Sequence, residues 1–502
     1  MKSLKNNLLA RETLVSILFI LVLGAIAFLP LVNQMGYYRD DWHVAWAGHN
    51  LGFQQIIDMH KTDRPFMGVV YGLTYLVLGD APLAWHLYAI AMRLAGALLF
   101  LWLVRLLWPR QRLATTLMAA LFVIYPGFLQ LPTASSYQCH LVGLNLGLLS
   151  LIFTLLAVQK PARRVVFIPL AMLSALACYL MMEWMIGLEA VRAVLLWYAL
   201  SKGQKPALRP HLIRLVKNWL PTLVATGAFL VWRVFIFKSA RSVTDVGALS
   251  QKYLHDAGFM LLRLVIETLK DAFSTLFLAW GVPFYNLTTT AGYLAMLAAI
   301  VLAAVAVGAL LLFWAWAGKQ NLQAESEPGS AAPSWTVSAF WIGILTIFAT
   351  LVPVVLANRS VAFNDTFDRY TLVASAGASM VLVGALFHFF SARSRLWITG
   401  LLLAVAILTH YNNNVYFSNS WNLQRQAWWQ LSWRAPDLKP DTVLVTLLPP
   451  GYRLAESYEV WGPADLIYGT EEQPLKVVGE VLNEETLFSF LHVESYGRVF
   501  RR

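Results

Sequence analysis

Long apolar runs recur along this chain of 502 residues, and they restrict the folds open to it more than any other feature. The first, Leu14 to Val32, carries no charge and is long enough to cross a hydrocarbon core of about 30 Å at about 1.5 Å per residue. Hydrophobic residues make up 58% of the chain and charged residues 13%, which excludes an ordinary soluble globular protein. The sequence predicts an all-α polytopic membrane protein.

The apolar runs predict about eleven transmembrane helices. We place them at about 13–33, 83–106, 112–128, 141–159, 165–182, 184–200, 218–237, 290–317, 335–357, 371–390 and 396–411. Two further segments leave the count open. Pro65 to Leu78 is apolar but short, which indicates a juxtamembrane or re-entrant helix, with a full span as the alternative. Residues 239–284 are punctuated by charges, which favours helices lying along the outer surface.

Basic residues orient these helices. Lys2, Lys5 and Arg11 precede the first span, so we expect its far end to face the extracytoplasmic side. The net charge of +11 follows the short loops between apolar runs, which indicates topology and not a groove for nucleic acid. The chain has two cysteines and no C-x-x-C spacing, so we expect no disulfide framework.

Composition divides the chain into three parts. Residues 1–411 form the predicted transmembrane domain, in which 34–82 is the first outer loop. Residues 412–435 are rich in tryptophan and predict an interfacial helix. Residues 436–502 predict a small extracytoplasmic α/β domain, with strands beginning near Asp441 and Lys476. The polar stretch 319–334 predicts a flexible linker between spans.

An acidic doublet, Asp40-Asp41, follows the first span by a few residues. Adjacent carboxylates repel each other, and each costs desolvation wherever it is partly buried. A solvated acidic loop is the plain explanation. The flanking Tyr38, Trp42 and His43 favour a catalytic or ligand-binding role instead.

Further charged and aromatic side chains fall at the outer ends of other predicted spans. Acid and base groups thus converge on one face of the membrane, as a reaction site at that interface requires. The candidates are Lys61 and Arg64 in the first outer loop, Glu183 between two spans, and Arg359, Asp368, Arg369 and Tyr370 before the span at 371.

These residue types suit group transfer from a lipid phosphate. No nucleotide-binding motif is present, so an activated substrate would arrive through the membrane. A carboxylate, Asp40 or Asp41, would accept a proton from the acceptor, and the arginines would stabilise the departing phosphate. Arginine suits this second task because its planar guanidinium donates two parallel hydrogen bonds.

The doublet after the first transmembrane helix resembles the signature of the GT-C superfamily of polyprenyl-phosphate-sugar-dependent glycosyltransferases. Asp63-Arg64-Pro65-Phe66 resembles the His/Lys-Pro-Pro-Leu region of its protein-mannosyltransferase-like branch, and Asp368-Arg369-Tyr370 resembles its Arg-Tyr element. The likeness covers about residues 10–410. It implies that Asp40 or Asp41 is the general base or orients the acceptor, and that Arg64 and Arg369 contact the donor phosphate.

This chain departs from that pattern in two places. One proline stands where the family often has two, which weakens the assignment of Lys61 and Arg64 to the donor phosphate. Trp428-Trp429-Gln430 lacks the acid of the Trp-Trp-Asp motif, which disfavours transfer of a whole oligosaccharide to asparagine.

Several alternatives stay open at this point. Asp40, Asp41 and His43 could supply ligands to a divalent metal, but no spacing specifies a site. A lipid-glycan transporter or flippase is the second function; it predicts ionisable residues near the bilayer midplane and inverted repeats. Compact loops favour a bacterial inner membrane over the endoplasmic reticulum. The sugar and the acceptor, whether glycan, lipid or protein, are not specified.

Overall fold

The fold is described from a computed structural model. It covers residues 2–201, 207–239, 256–289, 291–320, 335–363, 366–447, 454, 456–469 and 477–482, with side chains from residue 10 onward. Most of the predicted linker at 319–334 and much of 436–502, including Lys476, therefore lie outside the described residues.

The described chain is almost entirely helical, with one small sheet. The helices are α1 (Lys2–Phe28), α2 (Asp41–Leu51), α3 (Phe53–His60), α4 (Pro65–Leu78), α5 (Pro82–Leu107), α6 (Arg112–Val123), α7 (Gln138–Gln159), α8 (Arg164–Met181), α9 (Leu188–Ser201), α10 (Leu208–Val231), α11 (Ala257–Leu276), α12 (Val282–Thr288), α13 (Tyr293–Lys319), α14 (Trp335–Leu356), α15 (Thr371–Phe389), α16 (Ala392–Arg434) and α17 (Tyr458–Tyr468). Strands β1 (Val443–Thr446) and β2 (Val478–Val481) pair in parallel, with Val443 opposite Val478.

Within the described ranges, ten helical segments are long and apolar enough to cross a membrane. This confirms an all-α polytopic fold. The predicted span at 112–128 is the one missing, because α6 ends at Val123 after only 12 residues. Helix α4 has the predicted bounds, and its 14 residues leave it below spanning length. Helix α11 has 20 residues but is not among the ten.

Irregular backbone follows α6 inside the bundle. Pro126, Gly127 and Pro132 prevent a continuous helix between Val123 and Gln138, because proline lacks the amide that a helix requires. Nearly every residue from 124 to 137 is buried. In a membrane protein such backbone must find its hydrogen bonds within the protein.

Side chains of α5, α15 and α16 bind carbonyl groups of this irregular segment, 124–137, or those just before it. Arg93 of α5 donates to the carbonyl oxygen of Phe122, at 2.5 Å, and to that of Val123, at 3.1 Å. His410 and Asn413 of α16 each lie 3.0 Å from the carbonyl oxygens of Ile124 and Leu129, and Thr371 of α15 donates to Gly127 at 2.8 Å. The segment is therefore a fixed part of the core, and it leads directly into α7.

Close helix contacts hold the second half of the bundle together. A Cβ atom on Gly343 of α14 would lie 2.6 Å from the carbonyl oxygen of Gly377 of α15, and the reciprocal distance is 2.5 Å. Only glycine allows the two backbones to approach this closely. This contact fixes α15, and with it the 3₁₀ turn Thr366–Tyr370 that precedes it.

The last span and the tryptophan-rich segment form one helix. Helix α16 runs unbroken for 43 residues, so the predicted span at 396–411 and the predicted interfacial helix at 412–435 are continuous in the structure. Asn414 of this helix donates to the carbonyl oxygens of Ala27 and Pro30, at 3.1 and 3.2 Å, where α1 ends. The helix continues for another 20 residues beyond that level, toward α17 and the small sheet.

Candidate active site at the doublet end of the bundle

The acidic doublet, the turn Glu183–Gly187 between α8 and α9, and the turn Thr366–Tyr370 all lie at one end of the bundle, called here the doublet end. Six of the residues that the sequence suggested lie in these three segments: Asp40, Asp41, Glu183, Asp368, Arg369 and Tyr370. The two aspartates of the doublet, however, differ sharply in their surroundings.

Asp41 is buried and fully engaged by the protein. Its exposed fraction is 1%. Oδ1 accepts hydrogen bonds from Ser135 Oγ at 2.9 Å, Ser136 N at 2.8 Å and Ser136 Oγ at 2.7 Å, while Oδ2 accepts from Tyr38 N at 3.2 Å. The two serines directly precede α7, so Asp41 ties the first loop to the end of the irregular segment. Sequence analysis did not identify them, although serine is a common residue before a helix.

Burial raises the pKa of Asp41 to about 6, from 3.8, against the lowering effect of its four donors. The folded state therefore binds this proton more tightly than the unfolded state does. The stabilisation it provides is present in full below pH 3.8 and is lost as the pH rises through 6.

We expect this titration to be visible in the stability of the protein. Detergent-solubilised wild type should lose stability relative to Asp41→Asn as the pH rises from 4 to about 7, because asparagine does not ionise. Thermal unfolding of the two proteins across that range measures the difference. A difference that does not change with pH would contradict the assignment.

Asp40 is exposed, in contrast to its neighbour. Its Oδ1 accepts a hydrogen bond from the hydroxyl of Tyr458 in α17. Oδ2 has no hydrogen-bond partner among the residues that the structure describes. Consecutive residues at the start of a helix point in different directions, which explains why one carboxylate is buried and the other open.

Tyr38 and His43, which flank the doublet in the sequence, both have partners within the protein. Tyr38 is 3% exposed, and its hydroxyl donates to the carbonyl oxygen of Phe417 at 2.7 Å. The ring of His43 stacks on Tyr458 with a centroid distance of 4.7 Å and an angle of 15°. Burial lowers the pKa of His43, so its ring is neutral at neutral pH.

Arg64 belongs to a four-residue ionic cluster. Its Nε lies 3.1 Å from Glu183 Oε2, and its Nη1 lies 3.2 Å from Asp63 Oδ2. Arg233 completes the cluster, with Nη2 at 2.9 Å from Glu183 Oε1 and Nη1 donating to the carbonyl oxygen of Asp63 at 3.1 Å. Two guanidinium groups thus face two carboxylates. Sequence analysis did not identify Arg233, which lies 170 residues after Asp63.

Arg369 has a different environment, made of hydroxyls and aromatic rings. Its Nη1 donates to Tyr137 Oη at 3.0 Å and to the carbonyl oxygen of Thr366 at 3.3 Å, and its Nη2 donates to Tyr370 Oη at 3.2 Å. The guanidinium carbon lies 4.9 Å from the centre of the Tyr370 ring and 5.4 Å from that of Phe367. Within the described ranges, no carboxylate forms an ion pair with it.

Two histidines interact electrostatically with the arginines and with the doublet. Arg64 and Arg369 both interact electrostatically with His140, and Arg64 and Asp40 both interact with His60. The Trp184 ring packs edge-on against Tyr370, with 5.7 Å between the ring centres, and is tilted against His140, with 6.2 Å between the centres. The doublet end therefore contains an exposed carboxylate (Asp40), an ionic cluster without net charge (around Arg64) and a guanidinium without an ion pair (Arg369). These groups have histidine neighbours in common.

Three other predicted site residues have partners of their own, although Arg359 shares the ring of Phe367 with Arg369. Lys61 forms an ion pair with Asp58 and is 59% exposed. Asp368 is 1% exposed and its Oδ2 accepts from Leu129 N at 3.2 Å and Gln130 Nε2 at 3.0 Å, so it binds the irregular segment 124–137. Arg359 lies over the ring of Phe367, at 5.4 Å from its centre.

No group of three or more histidine, cysteine, aspartate or glutamate side chains with the geometry of a metal site occurs in the part of the chain that the structure describes. Of the three residues that the sequence suggested as ligands, Asp40 and His43 both contact Tyr458, and Asp41 accepts from Tyr38, Ser135 and Ser136.

A groove of about 570 Å³ lies beside the doublet, between α16 and α17. It is lined by Trp42, Trp421, Asn422, Arg425, Gln426, Trp428, Trp429, Pro463, Leu466 and Ile467. Trp42 directly follows the doublet in the chain, and its Nε1 donates to Gln424 Oε1 at 3.2 Å. Trp42 therefore links the groove to the candidate site, but none of the charged residues of the candidate site lines the groove.

No protein-family model matches this chain, and no curated protein sequence is similar to it.

Proposed function

We propose that this protein is an integral-membrane glycosyltransferase that transfers a sugar from a polyprenyl-phosphate carrier to an extracytoplasmic acceptor. The observation that carries the proposal is the pairing of an exposed carboxylate, Asp40, with an unpaired guanidinium, Arg369, at the same end of a membrane bundle. Base and phosphate-binding cation are the two groups that such a transfer needs.

In the proposed reaction, Asp40 accepts the proton of the acceptor hydroxyl through Oδ2. The acceptor oxygen forms a bond to the anomeric carbon, and the bond from that carbon to the phosphate oxygen breaks. The electron pair of the broken bond remains on the polyprenyl phosphate. Arg369 binds the donor phosphate and stabilises the charge that builds up on it as it leaves, and Arg64, whose charge Glu183 and Asp63 already balance, has a lesser part.

The two aspartates have different roles in this proposal, because they differ in burial and in hydrogen-bond partners. Asp41 does not face solvent, since it is 1% exposed, and its oxygens accept from four donors of the protein. We therefore assign the base to Asp40, and to Asp41 the task of holding the loop against α7. Glu183 keeps Arg64 and Arg233 in place and is a positioning residue in this scheme.

Transport of a lipid-linked glycan is the alternative. Charged residues do lie within spans: Arg93 in α5, and the Glu189–Arg192 pair of α9, whose closest atoms are 3.1 Å apart. Both are enclosed by the protein. Arg93 binds backbone carbonyls, and Glu189 accepts from Tyr179, Arg192, Trp219 and Thr222. Charged groups that are enclosed and bonded within the protein in this way favour a role in holding the bundle together over one in lining a transport path.

We expect Arg369→Gln to raise the KM for a polyprenyl-phosphate sugar by about 10-fold or more, because hydrogen bonds to charged groups contribute about 1.5–3 kcal/mol. The assay uses purified protein in nanodiscs, synthetic polyprenyl-phosphate sugars and a panel of glycan acceptors.

The same assay separates transfer from transport. Formation of a new glycosidic bond by wild type, detected by mass spectrometry, supports transfer. Movement of the lipid across the bilayer without such a bond supports transport.

Arg395→Gln is the matched control. Arg395 also lies over an aromatic ring, Phe387, at 4.5 Å, and donates to the carbonyl oxygens of Phe390 and Phe387. It follows the far end of α15, away from the turn that carries Arg369. Equal donor KM values in Arg369→Gln and wild type would refute the phosphate-binding role.

A further inference from the structure

The C-terminal helix α17 docks directly on the acidic doublet. The hydroxyl of Tyr458, its first residue, donates to Asp40 Oδ1. The next residue, Glu459, accepts a hydrogen bond from the backbone N of Arg39 at 3.1 Å. Further along α17, Asp465 accepts from Trp46 Nε1 of α2. The helix thus contacts the residue before the doublet, the doublet itself and the helix that follows it.

The backbone before Asp40 is held in a strained conformation by this contact. Arg39 has φ = 52°, in the left-handed region that residues other than glycine rarely adopt. Its amide is bonded to Glu459, which is only 2% exposed and also accepts from Glu456 N at 3.1 Å. Such conformations persist where the surrounding structure fixes them, and here part of that structure is α17.

Tyr458 is itself fixed. The His43 ring stacks on it, and Trp461, one turn further along α17, packs edge-on against His43 at 5.6 Å. Burial raises the pKa of Tyr458, so its hydroxyl stays protonated and serves as a hydrogen-bond donor. The donor that meets Asp40 therefore comes from a rigid ring on a docked helix.

We propose that α17 is part of the active site and that Tyr458 is a positioning residue, which holds Oδ1 of Asp40 so that Oδ2 faces the acceptor hydroxyl. This inference rests on the proposed function. A general base works when its accepting oxygen lies within hydrogen-bond reach of the proton, and an exposed carboxylate rotates freely unless a third group orients it. Tyr458 supplies that group from the opposite end of the chain.

The test compares Tyr458→Phe with Tyr468→Phe. The first removes only the hydroxyl and keeps the ring against His43; the second removes a hydroxyl of the same helix that donates to Ala435 O at 2.8 Å, away from the doublet. We expect Tyr458→Phe to lower kcat by about 10- to 100-fold with the KM of both substrates unchanged, since small misplacements of reacting groups cost rates of this order. Tyr468→Phe should retain the kcat of wild type.

A second measurement needs no transferase activity. Carboxylate labelling of the full-length protein with a water-soluble carbodiimide, read at Asp40 by mass spectrometry, should be faster in Tyr458→Phe than in Tyr468→Phe or wild type. Glu459→Gln, which weakens the bond to the Arg39 amide, should change kcat and labelling in the same direction. It serves as the test variant if Tyr458→Phe does not fold.

The outcomes separate the two proposals. Wild type that transfers no sugar from any polyprenyl phosphate refutes the proposed function, while faster labelling would still support the contact. Active Tyr458→Phe protein with the kcat and labelling of wild type overturns the positioning role. A higher kcat in Tyr458→Phe also overturns it, because α17 would then be blocking the acceptor.

Discussion

Asp40→Asn is expected to lower sugar transfer by about 10²–10⁴-fold, the usual contribution of a positioned general base. Asparagine has the same shape and can still accept from Tyr458, but it has no basic oxygen for the acceptor proton. The loss should appear in kcat, with the KM for the donor unchanged, because the proposal assigns the donor phosphate to Arg369 and not to Asp40. Single-turnover assays with the polyprenyl-phosphate sugar measure it directly.

Asp58→Asn is the matched control for this substitution. Asp58 is a carboxylate of the same loop region, in α3, and its ion pair is with Lys61. Removing its charge should leave kcat close to that of wild type. An Asp40→Asn protein that keeps half or more of the wild-type rate would show that the base is elsewhere.

Asp41→Ala is expected to destabilise the fold by about 2–4 kcal/mol, because each buried donor left without an acceptor costs about 1–3 kcal/mol. The substitution leaves Ser136 N and two serine hydroxyls facing a cavity at the start of α7. Rotation of the hydroxyls recovers part of the loss. Thermal unfolding of the detergent-solubilised protein, followed by tryptophan fluorescence, measures the change.

The adjacent residue provides the comparison. Asp40→Ala removes an exposed carboxylate and should change stability much less than Asp41→Ala does, while it abolishes the proposed transfer. We therefore expect opposite effects at consecutive residues: the substitution at Asp40 lowers activity, and the substitution at Asp41 lowers stability. Equal unfolding temperatures for the two alanine variants would contradict the division of roles.

Local pattern was enough to predict much of this arrangement. Apolar length located ten of the eleven predicted spans, and Pro65 and Leu78 bound α4 as predicted. Hydropathy predicted a span at 112–128 that the structure does not contain. The reason is that residues such as Phe128 are apolar although the backbone there is irregular. Hydropathy also divided α16 at 411, where polar residues begin although the helix continues.

The site was harder to predict because its contacts join distant parts of the chain. Nothing near Asp40 indicates that its partner is Tyr458, 418 residues later, and nothing near Glu183 indicates Arg233. The distinct environments of Asp40 and Asp41 depend on which residue begins α2. Sequence alone fixes helix ends too loosely to separate the two.

The irregular segment 124–137 has a consequence for how the protein is made. Its carbonyl groups are bonded by Thr371, His410 and Asn413, which the ribosome adds more than 230 residues later. We therefore expect the backbone after α6 to reach its final conformation only after α15 and α16 have been made. A chain truncated before α15 would lack these partners for the segment.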